Sequence, residues 1–261
     1  MTVIVDLTPL PDGSGSAILL DVLPGRSKQV VETWLSAQNA AWRKQVEVVA
    51  MDGFTGYKTA ATTHLPAAIP VMDPFHVVRL AGDALTACRQ RIQQEVHGRR
   101  GKKTDPLYRA RRTLLTGQDC LTDRQQQRLD TLFTCQEYQP VYNTWKAYQR
   151  IVAAYRARTP AMGREMIEAL MQELKHGVAH ELIELKRLTK TLQRRLTDIL
   201  AYFDRSGLSN GPTEAINGRP EHLRGIGLGF RNFTNYWLRC LLHTGGFRNT
   251  IQTHPPQTHT P

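Results

Sequence analysis

Apolar positions follow two regimes along this chain: short runs up to about residue 73, then a recurrence every three or four residues. Thr2-Val-Ile-Val-Asp6 and Ala17-Ile-Leu-Leu-Asp-Val-Leu23 are strand-like runs separated by a Gly- and Ser-rich stretch, the pattern of an antiparallel hairpin. Ser27 then stands where it caps a helix whose apolar positions Val30, Val31, Trp34 and Leu35 keep helical spacing. Two further runs, 46–51 and 69–72, are rich in Val or Ile and end on the acids Asp52 and Asp73. Such runs, bounded by Gly or Pro, predict strands of a sheet covered on both faces, and Gly56 to Leu65 between them is long enough for a crossover helix.

From Pro74 onward the helical period takes over, with Phe75, Val78, Leu80, Leu85 and Ile92 before a break at Gly98. Further helices are predicted over 107–115, 121–133, 141–155, 162–174 and 178–203. Tyr138, Tyr142, Trp145, Tyr148 and Tyr155 have the spacing of a helix face, which predicts core packing rather than base-stacking platforms. Ala179 to Phe203 reads as one basic amphipathic helix, with Lys186, Arg187, Lys190, Arg194 and Arg195 opposite a row of leucines. A face of this kind either lies on DNA or is simply solvated. After the breakers of Asp204 to Gly211, Pro212 opens a helix with Glu214 in its first turn, and the tail from Thr250 is expected to be disordered.

Charge changes the picture. The 261 residues carry 34 Lys and Arg against 23 Asp and Glu, a net charge of +11, which suits a polyanion partner. Cys88, Cys120, Cys135 and Cys240 form no C-x-x-C pair, so neither a disulfide framework nor a zinc ribbon is indicated. With no long apolar run and no basic leader, a cytoplasmic protein without a membrane partner is expected. Two basic stretches are candidate phosphate contacts: Arg99, Arg100, Lys102 and Lys103, and a Gly- and aromatic-interleaved stretch with Arg219, Arg224, Arg231, Asn232 and Arg239.

Asp52 has two readings: a carboxylate at the functional edge of an α/β sheet, or a helix cap. Asp73 followed by Pro74 suits an N-cap and first helical position, which puts His76 one turn into the helix. Acids inside a basic protein acquire a reason if they hold divalent metal, because carboxylates bearing Mg²⁺ become a cationic site for a scissile phosphate. The order β-β-α-β-α-β, followed by a late helix bearing a Glu, fits an α/β ribonuclease-H-like mixed sheet split by a large all-helical insertion. The corresponding boundaries are 1–82 for the first part of the core, 83–204 for the insertion, 205–249 for the last part and 250–261 for the tail.

Asp52-Gly-Phe-Thr-Gly-Tyr57, Asp73-Pro-Phe-His76-Val-Val-Arg-Leu and Ser209-Asn-Gly-Pro-Thr-Glu214-Ala-Ile-Asn-Gly-Arg219, with Leu228-Gly-Phe-Arg-Asn-Phe-Thr-Asn-Tyr236, closely resemble bacterial insertion-sequence transposases of the L-three family. The resemblance implies a DDE transposase that cuts DNA and joins the 3′ hydroxyl to a target, using Asp, Asp and Glu with Mg²⁺, for which Mn²⁺ can substitute. It implies transposon ends and target DNA as partners, homo-oligomers assembled on DNA, and a place at the bacterial nucleoid. By motif, Asp52 matches the second acid and Glu214, 162 positions later, the third, and both are expected to hold metal. Asp73 and His76 match a supporting D-x-F-H motif. In the family the first Asp is expected on a strand before the hairpin, so the chain resembles a C-terminal part, active or inactive. Pro220 departs from the pattern by interrupting the helix begun at Pro212. A non-catalytic DNA-binding remnant and a basic helical RNA-binding protein are the competing expectations, and Asp6 is an alternative first acid.

Overall fold

The computed structural model describes residues 1–10, 14–99, 101–205, 222–226 and 231–245. They belong to two compact units, Met1–Pro70 with Gly207–Pro261, and Val71–Ser206.

In the first unit β1 (Thr2–Asp6) and β2 (Ile18–Leu23) pair antiparallel from Thr2↔Leu23 to Asp6↔Ile18, with a register shift between Ile4 and Val5. Helix α1 (Lys28–Ala37) starts where the sequence places its cap, with the Ser27 side chain accepting from the Val30 N–H. Helix α2 (Ala40–Gln45), capped by Asn39, is a single exposed turn and a half whose apolar pattern is too short to read. There follow β3 (Val48–Met51), α3 (Thr55–His64) and β4 (Ile69–Met72), with the Ile69 N–H donating to the Glu47 carbonyl at 2.8 Å as β3 and β4 make a second two-stranded sheet. Val31 and Leu35 of α1 pack on Ala60 and Leu65 around α3, while Leu19 and Val22 of β2 pack on Tyr236 and Cys240 of the last helix. Burial of an aliphatic side chain of this size contributes about 1.5–3 kcal/mol, so each small cluster secures the elements it joins.

The second unit is helical: α4 (Pro74–His97), α5 (Pro106–Arg109), α6 (Asp123–Phe133), α7 (Gln139–Tyr155), α8 (Pro160–His176), α9 (Ile183–Arg194) and α10 (Leu196–Asp204). Asp73 caps α4 and Gly98, at φ 63°, closes it in the left-handed conformation that glycine adopts without strain. Tyr138, Trp145 and Tyr148 are buried in one core with Leu85, Leu129, Ile151, Leu170 and Ile199, so that row is core, as its spacing predicts.

The single helix expected over 178–203 is not formed. Residues 178–182 are non-helical, and Arg195, at φ −112° and ψ 10°, separates α9 from α10. The physical reason lies in its charge: the Arg195 Nε donates to Oδ2 of Asp198 at 2.6 Å, and both side chains are buried. A buried carboxylate needs its partner in good geometry, and the bend at Arg195 provides it. The last helix, α11 (Phe233–Thr244), belongs to the first unit, and a helical stretch covers 222–226.

Candidate metal and nucleic-acid site

Asp52 follows β3 directly and is half-buried. Its Oδ1 accepts from the Phe54 N–H at 2.9 Å, the side-chain-to-backbone turn that Asp favours. The cap position of α3 is Phe54, which makes no side-chain cap, so Asp52 does not act as the helix cap. One carboxylate oxygen is thereby held, and the other takes no hydrogen bond from a described residue.

The rest of the Asp52–Tyr57 motif secures this turn. The Phe54 ring meets Tyr57 edge-on with centroids 4.9 Å apart, and the Tyr57 hydroxyl lies 2.9 Å from Oγ1 of Thr2. Thr2 spends its own proton on the Gly25 carbonyl, which makes Tyr57 the donor. A Cβ at Gly56 would overlap the Phe54 ring and crowd Lys28, which explains the second glycine of the motif.

Asp73 stands at the end of β4 and is 2% exposed, with Oδ2 accepting from the His76 N–H at 3.3 Å. Oδ2 also lies 3.6 Å from Nδ1 of His76, whose ring is partly exposed beside the solvent-facing Phe75. Asp73 thus caps α4 and lies alongside the imidazole. The Tyr155 hydroxyl is pushed well above its ordinary range by burial first, then by the neighbouring Tyr202 and by the charge of Asp73. Asp52 lies in the first unit, Asp73 and His76 in the second. Asp6 at the end of β1 accepts from the Thr8 N–H at 2.9 Å.

Glu214, Arg100, Arg219 and Pro220 lie outside the described residues, as does the tail from Thr250. The expected proximity of Asp52 and Glu214 therefore falls outside them too. Among the described residues no three His, Cys, Asp or Glu side chains cluster as metal ligands. The donor that is described does suit a hard divalent cation: a partly accessible carboxylate with an uncommitted oxygen at a strand end. Asp73, buried and capping, does not offer that access.

Of the basic candidates, Arg99 grips Asp105 with both terminal nitrogens, at 2.9 and 3.0 Å, and the Lys102 N–H adds a third bond at 2.6 Å. These contacts hold the Asp105 carboxyl down at about 2, the Arg99 bond contributing most. Lys102 and Lys103 remain exposed. Asn232 is committed as the N-cap of α11, accepting from Thr234 and Asn235, and Arg224, Arg231 and Arg239 are exposed.

The profile of the DDE transposase family of L-three insertion sequences, described as "Transposase", matches residues 1–240. The chain belongs to that family. Two curated relatives, each named "Transposase for insertion sequence element IS1557" and drawn from two strains of Mycobacterium tuberculosis, are 26% identical over 271 residues, covering 96% of this chain and 58% of theirs. The chain therefore spans somewhat over half the length of these transposases. No solved structure matches it significantly. No described helix is long and apolar enough to cross a membrane.

Sequence reasoning missed Asp21. This β2 acid accepts the Trp34 indole N–H through Oδ2 at 2.7 Å and the Trp237 indole N–H through Oδ1 at 2.6 Å, joining α1, β2 and α11. The signal was available in the acid that interrupts Ala17–Leu23.

Proposed function

We propose that this chain is the catalytic part of an insertion-sequence transposase, which cuts DNA strands at transposon ends and transfers the 3′ hydroxyl to target DNA with Mg²⁺. The observation that carries the reading is the placement of Asp52. The acid that matches the second position of the family motif directly follows a strand and is half-buried, with one oxygen held by the Phe54 N–H and the other taking no hydrogen bond from a described residue. Membership of a transposase family across 1–240, a range that includes Glu214, supports it. In this reading β1–β4 with α1 and α3 contribute to a ribonuclease-H-like core, and the helices from α4 to α10 form the insertion that splits it.

Asp52 and Glu214 would hold the metal, which would supply activation of the attacking water or hydroxyl and stabilisation of the leaving oxygen. The turn pinned by Phe54, Tyr57 and Thr2 keeps the Asp52 carboxylate in place, so that little ordering remains for binding to cost. Asp73, buried beside His76, fixes the start of α4 and thereby the entry into the helical unit. Exposed Lys and Arg supply the phosphate contacts, and the active assembly is an oligomer on DNA at the nucleoid.

The test is nicking and strand transfer on a labelled duplex carrying the element's terminal repeat, with Mg²⁺ or Mn²⁺. Cleavage lost in Asp52→Asn and in Glu214→Gln, with duplex binding retained, is the expected result. Duplex binding without cleavage under any metal, by the parent chain alone and also with an added upstream strand bearing the first Asp that the family motif expects, would instead support the non-catalytic DNA-binding reading.

A further inference from the structure

We infer that the solvent face of α9 is a tracking surface for the phosphate backbone of duplex DNA, formed by Lys186, Arg187, Lys190 and Arg194. The inference deepens the transposase reading by naming a DNA contact inside the helical unit.

At about 100° per residue, the four cations fall within about 100° of arc, while Glu184, Leu185, Leu188, Thr189 and Leu192 occupy the opposite, buried side. The leucines anchor this side in the unit's core, so the cationic face is held outward. All four cations are exposed.

Several surface arginines of the unit are paired: Arg79 with Asp83, Arg150 with Glu173, Arg156 with Asp119, and Arg164 with Glu168 and Asp204. The four α9 cations stand outside these pairs and share one helical face. The one acid of α9, Glu184, turns inward to Arg91, accepting at 2.8 and 3.0 Å. Burial raises the Glu184 carboxyl, but the bonds from Arg91, its own backbone N–H and the nearby charges of Arg91 and Arg187 together lower it. None of the four α9 cations has a carboxylate within ion-pairing distance among the described residues.

Lys186, Lys190 and Arg194 are spaced four residues apart, about 6 Å per step and about 12 Å in all. A DNA strand carries a phosphate about every 3.4 Å of axis, so the row spans roughly three or four phosphates of one strand. Long side chains on one helical face can follow such a row without reading bases, which gives affinity without sequence preference.

The experiment compares two variants of the full chain with equal net charge. One carries Lys186→Gln, Arg187→Gln, Lys190→Gln and Arg194→Gln. The other carries Arg79→Gln, Arg150→Gln, Arg156→Gln and Arg164→Gln, at cations that are already paired. Binding to a blunt 30-base-pair duplex of mixed sequence is measured by anisotropy in metal-free buffer across salt concentrations, with circular dichroism as the folding control. The α9 variant should weaken binding about tenfold or more near 0.1 M salt and flatten the log Kd against log salt slope by about 3.6, since each of the four lost phosphate contacts removes about 0.9. The control variant should lose much less of either. Equal losses in the two variants would show that only net charge matters and overturn the inference, as would a loss confined to an RNA duplex of the same length. Should the control variant fail to fold, the single variants Lys190→Gln and Arg194→Gln must each reduce the slope by about 0.9, and unchanged slopes would overturn the inference. Nicking is scored separately, so a parent chain that binds through α9 without cutting would sink the catalytic reading and leave this one standing.

Discussion

Removing the carboxylate of Asp21 should loosen the first unit measurably. Its two oxygens each accept an indole N–H, from Trp34 on α1 and Trp237 on α11, and Oδ1 also accepts the Val22 N–H. Hydrogen bonds to a charged group contribute about 1.5–3 kcal/mol each, and since Asp21 is only half-buried the lower end applies, which gives about 3 kcal/mol for Asp21→Ala. Asp21→Asn should cost about 1–2 kcal/mol, because one indole keeps its acceptor while the other meets an amide donor. Trp34→Phe should be expensive in the parent and, apart from its packing, nearly free in Asp21→Ala, a coupling above about 0.5 kcal/mol. Urea unfolding read by amide exchange across 1–70 resolves this unit from the helical one, which can open separately. A cost for Asp21→Ala below about 0.5 kcal/mol, or strictly additive Trp34 and Asp21 losses, would refute the clamp.

Two other outcomes follow from the same kind of reasoning. Arg99 holds the Asp105 carboxyl at about 2, below its unfolded value of about 3.9. The stabilisation is therefore complete above about pH 4 and lost as pH falls through about 2, so the denaturant midpoints of parent and Arg99→Gln should differ at pH 6 and converge near pH 2. A gap that persists at pH 2 would mean the pair is not its source. Gly163→Ala would drive a methyl into the Ala154 carbonyl and the Phe203 ring where α8 meets α7 and α10, at a cost of about 1–3 kcal/mol. A melting temperature unmoved by that substitution would show the helices able to part there.

Local order was legible wherever a short-range rule acts alone. Ser27 and Asp73 as caps, Pro74 as the first residue of α4, Gly98 as its end and the two acid-terminated strands all follow from neighbours within four residues. The break at Arg195 was not legible, because the leucine period runs on through it. Only the inward turn of Arg195 toward Asp198 shows that the charge belongs to the core and not to the cationic face. Asp52 could be found as a candidate from its strand, but setting aside the helix-cap reading needed the bond to Phe54. Arg99 looks in sequence like its basic neighbours, and its partner six residues on takes it out of the pool of uncommitted cations. Asp21 stands out in sequence as the acid inside Ala17–Leu23, but its partner does not, because Trp237 is 216 residues away.

That separation has a consequence for biosynthesis. The first unit is built from both ends of the chain, and the helical unit lies between them as one continuous stretch. At about 5–20 residues per second, a ribosome needs roughly 10–40 s to travel from Asp21 to Trp237. Throughout that interval Leu19 and Val22 wait without Tyr236 and Cys240 to cover them, and the Asp21 carboxylate waits for its second indole. The helices from α4 to α10, which share one buried core among the described residues of their own stretch, meet no such delay. The face of β2 that α11 covers thus closes last, after the ribosome has already finished the part bearing the α9 cations.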